Sequence, residues 1–416
     1  MTEDRQTPGA SANAQPPKIL VLDDDVFMLD VQSHMLADMG FGPVAQAASA
    51  TLALELLDAP GAAIDVVICD LNMPDVDGIE FLRRLEATGR RVDVILLSGE
   101  GARILHTVQR LLGSSRLRIL GALEKPAARS ALTALLQRWA TSPEPPSVRA
   151  PGPVPTPEEL HAASRENQWV LHYQPKVLLG SGEFIGVEAL VRWMHPTRGL
   201  VYPDHFIDAA ESCDAIDELT WWVLAESMAQ LARWQANGLR TRVAVNISVA
   251  NLAKPHFASH VGRLAEQAGV SPQDITLEVT ESRLMSTQTT PLENLVRLRL
   301  QRFGLSIDDF GTGHSSLAQV RDVPFTELKI DRGFVQGARH DQIIRPILEA
   351  SISIARRLGM QSVAEGIETE DDWTLLRETR CDIGQGYFIA RPMPADALQP
   401  WCDAWQKRVG KMTAAR

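Results

Sequence analysis

Short apolar runs alternate with amphipathic stretches along this chain, and most of the runs end on a polar or charged residue. Early on, "KILVLD", "DVVICD", "VDVILLS" and "LRILGALEK" read as buried strands, with a weaker strand near 43–47. "LDVQSHMLADMG" and "GIEFLRRLEATG" repeat apolar residues at helical spacing. Strand alternating with helix predicts a parallel sheet carrying helices on both faces. Farther on, the alternation resumes in "GVEALVRW", "RVAVNIS", "DITLEVTES", "LSIDDFG", "ELKID", "QSVAEGIE" and "IGQGYFIARP". That stretch of about 250 residues suits a single closed α/β barrel. Between the two lies "TSPEPPSVRAPGPVPTP" at 141–157, whose seven prolines and near absence of large apolar side chains predict a semi-rigid extended spacer.

A length of 416 residues fits this two-domain division, and 45% hydrophobic with 22% charged residues is ordinary globular composition. The net charge of −11 argues against broad DNA or RNA binding, which needs basic surface. It does not oppose a small phosphorylated ligand held through metal ions. Cys69, Cys213, Cys381 and Cys402 form no CxxC pair, which argues against a disulfide framework or zinc site and fits a reducing cytoplasm. The N-terminus lacks the apolar core of a secretory signal, and no apolar run approaches the ~18 residues of a membrane span. A cytoplasmic protein with no membrane insertion is expected.

In a doubly wound sheet, ligands gather at the carboxyl ends of the strands. Asp23 and Asp24 end the first predicted strand, Asp70 the third, Ser98 the fourth and Lys125 the fifth. Three carboxylates at close quarters call for a hard cation such as Mg²⁺. An aspartate beside Mg²⁺, a lysine and a hydroxyl can accept a phosphoryl group. Asp25 and Asp77 read as turn caps, and Cys69 as a core residue. The acidic pair, Asp70 in its DxxMPxxDG setting, Ser98-Gly99 and Lys125-Pro126 occur in the order found in receiver domains of two-component response regulators, and residues 18–139 resemble that family. The resemblance implies a flavodoxin-like (βα)5 fold and phosphorylation of Asp70 by a sensor histidine kinase or phosphotransfer protein. It also implies Mg²⁺ on Asp24, Asp70 and the carbonyl of Asn72, with Asp23 acting mainly through water and Ser98 and Lys125 completing the switch pocket. Ala122 departs from the family, which usually carries there an aromatic that swings inward on phosphorylation.

In the C-terminal segment, Glu188, Asn246, Glu278, Asp308 with Asp309, Lys329, Glu365 and Gln385 stand at the ends of successive apolar runs. In a barrel such positions share one mouth. Five carboxylates there require cations, and an oxygen-only donor set points to Mg²⁺ or Mn²⁺ rather than zinc. So many carboxylates suggest two ions about 3.5–4 Å apart, an arrangement suited to phosphodiester hydrolysis. A scatter of carboxylates is more often a solvated face, but the ordered motifs argue against that here.

Those motifs are "YQPKV" (173–177), "EALVRW" (188–193), "NIS" (246–248), "EVTES" (278–282), "DDFGTG" (308–313), "LKID" (328–331), "AEGIE" (364–368) and "QGYFIARP" (385–392). On them, residues 160–405 resemble an EAL domain. The resemblance implies a TIM-like (β/α)8 barrel, often with one strand running against the others, that cleaves one phosphodiester of cyclic di-GMP to give pGpG. It implies that Glu188, Asn246, Glu278 and Asp308 hold the first metal and that Asp308 and Asp309 contact the second, with the catalytic water between them. Glu365 is then a ligand of the second metal or the general base, and Lys329 orients the water or steadies developing charge. Gln174, Leu190, Arg192, Glu368 and Gln385 line the nucleotide pocket, as does Asp331, which equally suits a helix cap. Glu281 anchors the loop after the aspartate pair. His314 replaces the family's usual tyrosine and is expected to alter loop packing rather than bind metal. A homodimer through the barrels follows from the resemblance, with a tetramer if the receivers also associate.

The expected organisation is a disordered tail (1–17), a receiver (18–139), a linker (140–157), an EAL barrel (158–408) and a C-terminal tail (409–416). Two other readings compete with a phosphorylation-regulated phosphodiesterase. One is a catalytically silent cyclic di-GMP receptor, which would normally lack a ligand or base. The other is a phosphoacceptor scaffold.

Overall fold

The computed structural model describes residues 16–59, 63–90, 92–99, 117–141, 154–280, 289–311 and 323–414. The chain forms two compact units, Met1–Val148 and Arg149–Arg416.

In the first unit, β1 (Ile19–Leu22), β2 (Ala45–Ala47), β3 (Val66–Asp70), β4 (Asp93–Ser98) and β5 (Arg118–Glu124) form a parallel sheet in the order β2-β1-β3-β4-β5. The continuous apolar runs arise because both faces are covered. Ile19, Val21, Ile68, Ile95 and Leu97 pack with Leu29 and Leu36 of the helix Val26–Asp38 and with Leu132 and Leu136 of the helix Arg129–Thr141. The alternate residues Leu20, Leu22, Val67, Cys69 and Leu96 pack with Ala53 and Leu57 of the helix Ala50–Asp58 and with Phe81 and Leu85 of the helix Gly78–Ala87. Asp25 and Asp77 cap the helices Val26–Asp38 and Gly78–Ala87, accepting from the backbone N–H groups of Phe27 and Glu80 at 2.9 and 2.8 Å. Cys69 is a buried core residue.

In the second unit, β6 (Trp169–Leu178), β7 (Phe184–His195), β9 (Val243–Asn246), β10 (Ile275–Thr280), β11 (Gly304–Phe310), β12 (Glu327–Ile330), β13 (Gln361–Ala364) and β14 (Ile383–Gly384) close an eight-stranded barrel, with β8 (Gly199–Val201) added as a hairpin on β7. β6 is antiparallel to both of its neighbours, β7 and β14, while the other barrel strands run parallel. Pattern reading does not list β6 among the strands. Its Gln174, Pro175 and Lys176 interrupt the apolar run, and a proline argues against an interior strand. The polar residues belong there because Gln174 and Lys176 serve the barrel interior. "IGQGYFIARP" supplies only a two-residue strand: Gly386 turns the chain where a Cβ would lie 2.2 Å from the Ile367 nitrogen. The helix Leu398–Ala414 runs on past residue 408, where the tail is expected to begin, and Val409 packs on Gly182 while Arg408 stacks on Phe388 and Trp405.

Candidate active site

The barrel mouth is organised around one lysine. Lys329 is buried at the end of β12, with Nζ 2.6 Å from Glu365 Oε1, 2.7 Å from Glu278 Oε2, 3.1 Å from Asp308 Oδ2 and 3.6 Å from Glu188 Oε2. The two oxygens of Glu188 accept from Asn246 Nδ2 at 2.7 Å and Gln385 Nε2 at 2.6 Å. Asn246 thereby keeps its Oδ1 as an acceptor. Seven predicted residues, Glu188, Asn246, Glu278, Asp308, Lys329, Glu365 and Gln385, thus meet in one bonded network.

Asp309 joins them through a backbone irregularity. Successive strand residues point to opposite faces, so a regular strand would separate Asp308 from Asp309. A register shift between Ile307 and Phe310, with Asp309 at φ 57°, re-aims the second carboxylate. Carboxylate oxygens of Asp308, Asp309 and Glu365 then lie within 4.8 Å of one another.

Charge decides what this cluster can hold. Glu188, Glu278, Asp308, Asp309, Glu365 and the deeper Glu327 face the ammonium groups of Lys176 and Lys329. Six carboxylates against two lysines are an acidic excess that divalent cations would offset. Burial pushes Glu365 up to about 8, and burial with Asp308 pushes Asp309 up to about 6. Burial and Glu278 together raise Glu188. For Glu278 burial also works upward, but Lys176 and Lys329 outweigh it and hold the group at about 2. Hard cations would relieve the strained carboxylates, so the donor set fits Mg²⁺ or Mn²⁺.

A cavity of about 630 Å³ opens beside the cluster, with Asn246, Asp308 and Asp309 on one wall and Ile216, Leu219 and Val223 on another. Of the six predicted pocket residues, Leu190 lines it. Gln174 accepts from Gln385 Nε2 at 2.9 Å, next to Glu188. Arg192 is buried, with its guanidinium 4.9 Å over the Tyr202 ring. Asp331 caps the short turn Arg332–Phe334, accepting from the Gly333 N–H at 2.9 Å. Glu368 is exposed. Glu281 and His314 lie outside the described residues. Sequence reasoning assigns no role to Lys176 or Glu327, although YQPKV contains the first.

In the first unit, oxygens of Asp23, Asp24 and Asp70 lie within 4.8 Å of one another. Lys125 Nζ sits 2.6 Å from Asp23 Oδ2 and 2.8 Å from Asp70 Oδ2. Asp23 and Asp70 are buried, whereas Asp24 is exposed. Burial raises Asp70 and Lys125 opposes it, which again fits a divalent cation taking up charge. Ser98 is buried at the end of β4, and its carbonyl accepts from the Lys125 N–H at 2.8 Å. Gln32, which the sequence did not single out, donates to Asp23 at 3.3 Å. Gly78 holds the loop against the sheet: a Cβ there would lie 2.4 Å from the Asp70 carbonyl oxygen. Ala122 packs against the cluster that contains Phe81, with no ring to swing.

Comparison with known proteins identifies both domains. Residues 158–392 match the EAL domain and residues 19–137 the response regulator receiver domain. The chain belongs to the EAL domain family. Its EAL region follows a receiver, as expected from the motifs. The cyclic di-GMP phosphodiesterase RocR of Pseudomonas aeruginosa is 32% identical over 92% of this chain and 98% of its own length. The cyclic di-GMP phosphodiesterase NbdA of the same organism is 44% identical over 62% of this chain, which spans only 33% of that protein. A solved structure of the PaMucR phosphodiesterase in complex with c-di-GMP is 40% identical, with a TM-score of 0.56, over 58% of this chain and 98% of that one. No helix among the described residues is long and apolar enough to cross a membrane.

Proposed function

We propose that the EAL domain hydrolyses one phosphodiester of cyclic di-GMP to linear pGpG, and that phosphorylation of Asp70 regulates it. The observation that carries this reading is the charge-deficient carboxylate network around Lys329 beside an open cavity. Glu188, Asn246, Glu278 and Asp308 are the donors for one ion, and Asp308 and Asp309 those for the second. Two bound divalent ions would supply Lewis acidity and lower the pKa of water. Lys329 engages Glu365 Oε1 at 2.6 Å, which supports Oε2 as the oxygen that takes the proton of the attacking water. The water oxygen bonds to phosphorus, the P–O3′ bond breaks, and the 3′ oxygen takes a proton from solvent. Lys329 steadies the charge that develops on phosphorus-bound oxygens. Arg192 offers its guanidinium to a phosphate oxygen, and Gln174, Leu190, Gln385, Glu368 and Asp331 border the nucleotide.

The test is turnover of cyclic di-GMP by the full chain with Mg²⁺, with Mn²⁺ and with EDTA, products being resolved by chromatography. Metal-dependent pGpG is the expected product. Tight nucleotide binding with no turnover under either metal would make the protein a cyclic di-GMP receptor instead.

For the receiver, exposed Val26, Phe27 and Val31 form an apolar patch on the helix that follows Asp24, a surface suited to a phosphodonor protein. Acetyl phosphate with Mg²⁺ is expected to label the wild type and to leave Asp70→Asn unlabelled on phosphate-affinity gels. Equal labelling of both would remove Asp70 as the acceptor.

The helix Thr289–Leu300 exposes Leu292, Val296 and Leu300 at four-residue spacing, one apolar stripe facing solvent. This stripe supports a homodimer through the barrels. Leu300→Asp is expected to lower the mass seen by light scattering toward that of one chain, and an unchanged dimer mass would exclude this face.

A further inference from the structure

The YQPKV motif contains a buried charge to which the reading above gives no task. Lys176 is 5% exposed, and β6 pairs it with Gly186, two residues before Glu188 on β7. It therefore stands one layer deeper in the barrel than the carboxylate cluster. Thr276, Ser306 and Glu327 likewise stand two residues before Glu278, Asp308 and Lys329 on their strands. From that layer Lys176 Nζ reaches Glu278 Oε1 at 2.6 Å, and its next carboxylate, Glu327, is 4.0 Å away. Glu278 is wholly buried and has each oxygen on a different lysine.

Lys329 does not serve Glu278 alone. It donates to Glu278 Oε2 at 2.7 Å, but its charge is shared with Glu365 at 2.6 Å, Asp308 at 3.1 Å and Glu188 at 3.6 Å. Lys176, by contrast, has a single close partner. Losing it would leave one buried oxygen of Glu278 without a donor and the carboxylate free to rotate about its terminal torsion.

We infer that Lys176 is a positioning residue of the phosphodiesterase centre, clamping Oε1 of Glu278 from below so that Oε2 is presented to a divalent cation. The inference rests on the two-cation reading of the site. It differs from simple charge compensation in the sign of its effect. A compensating lysine weakens cation binding, so its removal would tighten the site. A clamp strengthens binding, and outer-shell partners of ligands typically contribute about 10–100-fold in metal affinity.

The experiment is Mn²⁺ titration of the substrate-free full chain, with free ion read by electron paramagnetic resonance, every protein compared (the wild-type reference included) carrying Asp24→Asn and Asp70→Asn to remove the receiver's own cation site. It compares the wild type with Lys176→Met and with Lys176→Met/Glu327→Gln. The double variant removes the lower charges as a pair, so a folding defect from unpaired Glu327 does not decide the outcome. Both variants are expected to show a Mn²⁺ dissociation constant raised about 10–100-fold with a cooperative thermal transition retained. Unchanged or tighter Mn²⁺ binding by the folded double variant overturns the clamp. A wild type that binds no Mn²⁺ would instead overturn the two-cation reading, and the clamp with it.

Discussion

Glu365→Gln is expected to lower cyclic di-GMP turnover by about 10²–10⁴-fold, the usual contribution of a positioned general base, with nucleotide binding retained. The amide keeps the size of the carboxylate, and its oxygen can still accept from Lys329, which holds Glu365 Oε1 at 2.6 Å. What it loses is the ability to take a proton from water. Binding measured with Ca²⁺ in place of Mg²⁺, alongside single-turnover kinetics, separates the two effects. A variant that turns over normally would remove Glu365 from the chemistry. The wild-type rate is also expected to fall toward acid pH. Burial raises Glu365 to about 8 and, with Asp308, Asp309 to about 6 before cations bind. Protons therefore compete with ions for these groups, and more Mg²⁺ is expected to move the acid limb to lower pH.

The parts of this molecule that the sequence disclosed are those whose residues repeat with a simple period. Buried parallel strands such as β3 and β4 write themselves as unbroken apolar runs, and each carries its candidate residue, Asp70 or Ser98, at the carboxyl end. The same logic collected Glu188, Glu278, Asp308 and Lys329, because all follow apolar runs on barrel strands that run in one direction. It failed for β6. That strand runs the other way, so its polar residues lie along its length and a proline interrupts it. Lys176 was lost with it, since a lysine that looks like a strand-breaking surface residue is instead the partner of a wholly buried glutamate.

The aspartate pair shows a second limit. Adjacency in sequence says that two carboxylates are near each other, but strand geometry should send them to opposite faces. Their convergence depends on the register shift in β11 and the positive φ of Asp309, neither of which has a compositional mark beyond the following Gly311. The network of second partners was equally silent. Asn246 on Glu188, Gln385 between Gln174 and Glu188, and Gln32 on Asp23 are contacts across strands or helices far apart in the chain.

Lys329→Met is expected to abolish turnover and to make the barrel's stability depend on divalent cations. The substitution keeps the length and apolar bulk of the side chain but removes the one ammonium shared by Glu188, Glu278, Asp308 and Glu365. Breaking a buried ion pair from one side typically costs about 3–5 kcal/mol, because the remaining charge stays buried without its partner. For a domain of this size that corresponds to a drop of roughly 10 °C in the thermal transition. The loss is bounded, since the orphaned carboxylates can take up protons, and Lys176 still holds Glu278. Cations offer the same relief by another route. Mg²⁺ or Mn²⁺ is therefore expected to raise the melting temperature of the variant more than that of the wild type, whereas EDTA exposes the full defect. Thermal unfolding of both proteins in EDTA and across a Mg²⁺ series reads this directly. If the variant melts with the wild type in EDTA, Lys329 is not what holds the four carboxylates together. If it melts lower and Mg²⁺ returns nothing, the cluster does not hold cations, and the charge argument for a two-ion centre fails with it.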